Sequence, residues 1–213
     1  MVLVRFQSRR LLELLGMRAA RLYAIGVAVT FAVLVLLSRR GASAGSMDAL
    51  IARALVSASW AVAGLSSLSA ARDLKTRDQV EGVTALVALR GHDVRRLELS
   101  RVAAVAARIA FWIFLPTAAL VLLAWIVLES AALVPWALTW LGFLAVYALA
   151  LGLSLGALSR GAATLSPRRG RMLLAFVVLA PELVRGVWPD APSIPHAFGW
   201  AIDRVADRGG TVG

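Results

Sequence analysis

The chain alternates long apolar runs with short, arginine-rich polar stretches, and the apolar runs are of membrane length. The first, LYAIGVAVTFAVLVLL at 22–37, has 16 residues. A helix needs about 20 to cross the hydrocarbon core, and Ala19 and Ala20 can extend this one. A second run extends from Leu50 to Ala71, a third from Val102 to Leu128 with Pro116 in its middle, and a fourth from Ala131 to Leu158. Only Glu129 and Ser130 separate the third from the fourth, which predicts a tight helical hairpin. A fifth, MLLAFVVLA from Met172, passes into PELVRGVW, where Glu182 and Arg185 interrupt it. Ahead of the first span, Leu11, Leu15 and Leu22 share one helical face among five arginines, so residues 1–21 read as an amphipathic helix lying in the membrane interface. The tail, 189–213, is polar and punctuated by Pro189, Pro192 and Pro195, with a short amphipathic helix near 195–207. The pattern predicts an all-α integral membrane protein with about five transmembrane helices in a single domain.

Composition agrees with that class: 60% of residues are hydrophobic, 16% are charged and the mean hydropathy is +0.80. The formal charge of +11 raises the question of nucleic acid, and its distribution answers it. The arginines sit in clusters between apolar runs, as residues that orient spans do, and no nucleic-acid partner is expected. The leader carries five arginines, the segment 72–101 seven Lys/Arg and the loop 159–171 four. The alternate side holds six: Arg39, Arg40, Arg53, Arg185, Arg204 and Arg208. By the positive-inside rule the N-terminus and the 72–101 segment lie in the cytoplasm, in a multi-pass protein of the cytoplasmic membrane in contact with its lipid. With no cysteine and two histidines, disulfides, thiolate zinc sites and a metal centre are not expected. No P-loop is present and Lys75 is the one lysine, so no cofactor is expected and any ATP hydrolysis belongs to another chain.

The segment RDQVEGVTALVALRGHDVRRLELSR, 77–101, is charged and helix-patterned although it lies between two spans. Val80, Val83, Val87 and the neighbouring Leu86 form an apolar face at helical spacing. Arg90 and Gly91 end that helix, and Asp93 can cap a second one, VRRLELSR, that runs on into the third span. The first helix, 77–90, is too polar to insert and too apolar on one side to be idle. It either covers the ends of neighbouring spans or docks into a groove on a cytoplasmic partner. The carboxylates Asp73, Asp78, Glu81 and Asp93 raise the alternative of a magnesium site for phosphoalcohol transfer, but that chemistry needs a tight D-x-x-D-G-x-x-A-R array and the spacing here differs, so enzymatic activity is not expected.

Other residues have two readings each. Arg108, seven residues into the third span, either snorkels to the cytoplasmic interface or lines a pathway. Glu182 and Arg185, at i and i+3, form either a self-paired interfacial patch or part of a pathway mouth. Ala148, Gly152 and Gly156 recur every four residues and let another helix approach closely. The seven tryptophans, mostly near span ends, read as interfacial anchors.

EGVTALVALRGHDVRRLELSRVAA resembles the acid-Gly segment between spans two and three of ABC-2-type transporter permeases. Glu81 and Gly82 match the acid-Gly pair, Leu86 and Leu89 the hydrophobic positions, and Arg95 and Arg96 the basic stretch that re-enters the membrane. ALRGHD replaces the family's usual proline-containing turn. SWAVAGLSSLSAARDLKTRDQVEG is also similar to the heme-exporter-like membrane subunit of cytochrome c maturation, a branch of the same architecture. The resemblance implies a permease that pairs with a second copy or a related subunit and exports a lipid-like or hydrophobic molecule. A separate P-loop ATPase would dock on the 77–90 coupling helix, at Arg77, Val80, Glu81, Gly82, Val83, Leu86 and Arg90. The family usually has six spans, with a re-entrant pair between the fifth and sixth; here either the permease is shortened or the tail helix around Phe198, Trp200 and Ile202 substitutes for the re-entrant element. A non-transporting membrane scaffold is the alternative from another class.

Overall fold

The computed structural model describes residue 7 and residues 14–41, 43–71, 80–91, 93–128, 134–165, 169–185, 187–189 and 193–209, and among them all regular structure is helical. The helices are α1 (Leu15–Leu37), α2 (Ala44–Ser69), α3 (Val83–Leu89), α4 (Val94–Leu128), α5 (Val134–Leu165), α6 (Gly170–Arg185) and α7 (Ile194–Gly209), with one 3-10 turn at Ser38–Gly41. Four stretches, Gly16–Leu37, Ala44–Ser69, Val94–Leu128 and Val134–Leu165, are long and apolar enough to cross a membrane, as in a multi-pass membrane protein.

These four run up and down. The start of α1 meets the end of α2, where a Cβ on Gly16 would come within 1.7 Å of the Ser69 hydroxyl. The start of α2 meets the start of α5 at Asp48, and the end of α5 meets the first half of α4 at Gly152 and Gly156. One end of the bundle carries Arg18, Arg95, Arg96, Arg160 and Arg169 and is called the basic end below; the opposite is the Asp48 end. The core between them is aliphatic and aromatic, with Ile51, Leu55, Ile109, Ile113, Trp140, Leu144 and Leu151 all but inaccessible.

Three boundaries differ from the apolar pattern. Residues 15–21 are the first two turns of α1, so the interfacial helix expected over 1–21 is continuous with the span where it is described; 1–6 and 8–13 lie outside the described residues. The Arg21 guanidinium stands over the Trp112 ring at 5.9 Å, a cation–π contact that helps hold this arginine on the helix. Helix α2 begins six residues before Leu50, because Ser43 and Ser46 form a capping box: Ser46 N donates to Ser43 Oγ at 3.2 Å and Ser43 N to Ser46 Oγ at 3.0 Å. The earlier start brings Asp48 inside the bundle. Helix α4 begins at Val94, and its 35 residues make a rod about 52 Å long, so the first turns project beyond a hydrocarbon core of about 30 Å.

The fifth apolar stretch becomes α6, whose 16 residues reach about 24 Å, short of a full crossing. Its outward face is apolar, with Met172, Phe176 and Leu183 at least 70% exposed, while Leu174 is buried against Ala71 and Ala162. It starts at the basic end, where Arg171 Nε donates to Leu68 O at 3.2 Å. Helix α7 starts at Ile194, and the connection from α6 is called the α6–α7 break below. Phe198 meets Tyr147 edge-on at 5.3 Å, and Tyr147 lies two turns from Leu155 toward the Asp48 end, so α7 leads away from the basic end. It buries Ile202 and exposes Asp203, Arg204 and Asp207.

The α4–α5 pair is the tightest in the bundle. A Cβ on Gly152 would lie 2.6 Å from Ala106 O and one on Gly156 3.1 Å from Val102 O, so the two backbones touch. By contrast, a Cβ on Gly161, in the same helix, would meet nothing within 4 Å. Gly152→Ala should therefore lower the melting temperature of the purified protein, at an overpacking cost of about 1–3 kcal/mol. Gly161→Ala should raise it, since alanine in an open helical position gains roughly 1 kcal/mol over glycine. Equal responses in a thermal melt would rule out the close crossing.

Candidate functional site

At the basic end, the left-handed Gly82 (φ 65°) precedes α3, and Leu86 N donates to Gly82 O at 2.9 Å. A second left-handed residue, Gly91 (φ 68°), follows it, with Gly91 N donating to Ala88 O at 3.0 Å. Asp93 then caps α4, its Oδ1 accepting from Arg95 N at 2.8 Å. The helix expected over 77–90 is thus broken at Gly82, and its apolar residues do not share one face. Val87 turns inward against α4 and Val83 is half-buried, while Val80 is 83% exposed, Leu86 54% and Leu89 82%. The exposed surface of α3 is Ala85, Leu86, Ala88 and Leu89, flanked by the exposed charges Glu81 and Arg90. Arg77 lies outside the described residues.

Just above α3, Glu98 on α4 joins two arginines. It pairs with Arg101 one turn on, and its Oε2 lies 3.5 Å from Arg160 Nε on α5. Arg101 is 5% exposed, and a narrow cavity of about 20 Å³ adjoins the group, bordered by Ala70, Gly156 and Ser159. The network ties the foot of α4 to the end of α5, so a displacement of α3 and α4 is felt at α5.

The deeper feature lies at the break between α6 and α7. Glu182 Oε1 accepts from the Ser193 hydroxyl, and Ser193 Oγ accepts from His196 N at 3.1 Å, capping α7. Glu182 borders a cavity of about 400 Å³ whose walls include Trp60, Leu68, Leu155, Leu174 and Val178. Trp60 is nine residues before the end of α2, and Glu182, half-buried, stands partway along the length of the bundle. Arg185 is half-buried one turn on and does not line the cavity. Arg108 is half-buried on α4, one turn beyond Ala104, and neither cavity reaches it. Ala148 is buried on α5, one turn before Gly152.

Sequence reading did not single out Asp48, which is 2% exposed. Its Oδ1 accepts from Trp136 Nε1 and from Trp140 Nε1, both at 2.7 Å, and its Oδ2 is buried with no hydrogen-bond partner among the described residues. The two indoles, four residues apart, stand on one face of α5 and clamp the start of α2. Two signals were present: an acidic residue within one turn of the Ser43–Ser46 box, and tryptophans at i and i+4.

Hydrogen bonds to a charged acceptor contribute about 1.5–3 kcal/mol and neutral ones about 1 kcal/mol. Trp140→Phe should therefore destabilise the protein strongly when Asp48 is present and only weakly in an Asp48→Asn background. Thermal melts of the four proteins of this double-mutant cycle check it, and additive losses would sink the clamp.

Comparison of the chain with protein-family models, with curated proteins and with solved structures finds no match in any of the three.

Proposed function

We propose that the chain is the permease subunit of an ABC-2-type transporter, exporting a lipid-like or hydrophobic molecule under the drive of a separate P-loop ATPase. One observation carries the reading: between two spans, a short helix stands at the basic end with Leu86 and Leu89 turned outward between Glu81 and Arg90. Exposed leucines within a polar, charged surface fit a groove on another protein better than they fit water. The concentration of arginine at this end supports a cytoplasmic position for it. The resemblance of Glu81-Gly82, Leu86, Leu89, Arg95 and Arg96 to the family's coupling segment supports the same partner. Two copies, or one copy with a related subunit, would frame the path.

In this reading ATP-driven closure of an ATPase pair displaces α3. The displacement passes through Gly91 into the foot of α4, and the Glu98–Arg160 pair carries it to α5. The spans then favour the alternative opening, a population shift driven by the partner's differential affinity for the two states.

The test is co-purification from native membranes in mild detergent or lipid. Wild type should capture a P-loop ATPase. Glu81→Lys reverses the charge at the contact, and a like-charge contact costs several kcal/mol, so recovery should fall about tenfold or more at matched expression. Gly82→Trp should do the same by bulk and by strain at a positive φ, whereas Gly82→Asn, which tolerates that conformation, should retain the ATPase. Capture of no ATPase, or undiminished capture by both disruptive variants, would overturn the reading. Capture of an ATPase whose turnover no hydrophobic cargo alters would favour the scaffold.

A further inference from the structure

The cavity at the α6–α7 break has the properties of a ligand site, and its chemistry points to one class of ligand. Its volume of about 400 Å³ is well over twice the ~150 Å³ that accommodates benzene, and falls within the ~300–1,000 Å³ range of small-molecule sites. The walls are hydrocarbon and indole: Trp60 and Leu68 from α2, Leu155 from α5, Leu174 and Val178 from α6. Such walls take an aliphatic chain and offer nothing to a sugar or a nucleotide.

Two polar side chains line it among the described residues: Ser67, whose hydroxyl donates to Gly64 O at 3.2 Å within α2, and Glu182. Among the lining residues Glu182 alone carries a charge, and it is negative. The Ser193 hydroxyl engages one of its oxygens, and a carboxylate has lone pairs for several further donors. Ser193 is also committed to capping α7, so the carboxylate is held in place from the far side of the break. The last turn of α6 also carries Arg185, which does not line the cavity, so the charge that faces the apolar walls is that of Glu182. A carboxylate at the edge of an apolar pocket favours a cation.

Access is lateral. Leu179, at the rim, is 56% exposed, and beyond it the outward face of α6 is the apolar series Met172, Phe176 and Leu183. A ligand already dissolved in the bilayer meets this face without crossing water.

We propose that the cavity binds a cationic amphiphile, a single aliphatic chain ending in an ammonium group, with the chain against Leu68, Leu155, Leu174 and Val178 and the ammonium at Glu182. The site names the substrate class of the proposed transporter and rests on that reading only for the step from binding to transport.

The full chain, reconstituted in phosphatidylcholine nanodiscs, is labelled with a dodecylamine bearing a diazirine on its tail, and the adducts are mapped by mass spectrometry. The expected result is saturable labelling of the α2 and α6 walls. Unlabelled dodecylamine should displace the probe at concentrations roughly tenfold or more below those of dodecanol, since a charge-assisted contact is lost with the alcohol, and dodecanoate should not compete. Glu182→Gln should abolish the preference for amine over alcohol. Val178→Trp, which fills the cavity, should remove saturable labelling, whereas Leu183→Trp on the outward face should not. Labelling that fails to saturate, that spreads evenly over the outward faces, or that shows equal displacement by amine and alcohol in the wild type would overturn the proposal, and the wild-type comparison decides even if a variant does not fold. A failed ATPase capture with an intact amine site would sink the transporter and leave the site, and the reverse pair of results would do the opposite.

Discussion

A polar group carried into an apolar bundle has no water to fall back on and must find its partner on another element, and the described helices are arranged around that requirement. Asp48 is met by two indoles from α5, Glu98 by Arg160 across the α4–α5 contact, and Glu182 by Ser193 across the α6–α7 break. Each link joins elements that dispersion alone would leave free to slide, because lipid tails are as apolar as leucine and give no hydrophobic drive for one helix to prefer another. The links sit at three depths: the Asp48 end, the basic end and between them. They act with the glycine contacts, Gly16 on α2 and Gly152 and Gly156 on α4, where backbones approach too closely for any side chain.

The bundle is therefore uneven in rigidity. Helices α2, α4 and α5 share the buried core, and their contacts combine backbone proximity with charge pairing. Helix α6 buries only Gly170 and Leu174, and presents an apolar outer face over a large cavity. Few buried contacts mean low local stability. The two proposals follow this division: the proposed docking surface sits at the foot of the rigid part, and the proposed ligand site sits beneath the yielding one.

How much of this was legible depended on whether a signal was local. The four long apolar runs, the glycine that ends α3 and the Asp93 cap are written in consecutive residues, and a helical period or a capping residue reveals them. Asp48 was hidden because the apolar run starts at Leu50, while the helix starts where Ser43 caps it. The two tryptophans that receive it are 88 and 92 residues away, and each alone has the look of an interfacial anchor. The cavity at Glu182 was hidden for a related reason: residue spacing relates Glu182 to Arg185, and only the path of α6 along α2 brings it to the same cavity as Trp60. The face of α3 was misjudged because one left-handed residue, Gly82, breaks the period that Val80 and Val83 had shared.

Helix α4 runs without interruption from Val94 beside α3 to Leu128 at the opposite end, passing through Pro116, and touches the backbone of α5 at Ala106. That contact divides the rod into arms of about 18 Å and about 33 Å at 1.5 Å per residue. In the proposed transporter, a rod that turned about this crossing would be a lever with its fulcrum nearer the foot. A 1 Å push on the foot would then swing the far tip about 1.8 Å the other way by the ratio of the arms. Mechanical advantage is in this sense set by where two small residues, Ala106 and Gly152, fall along their helices, and moving that crossing by one turn would change the stroke without changing any residue that touches a partner or a ligand.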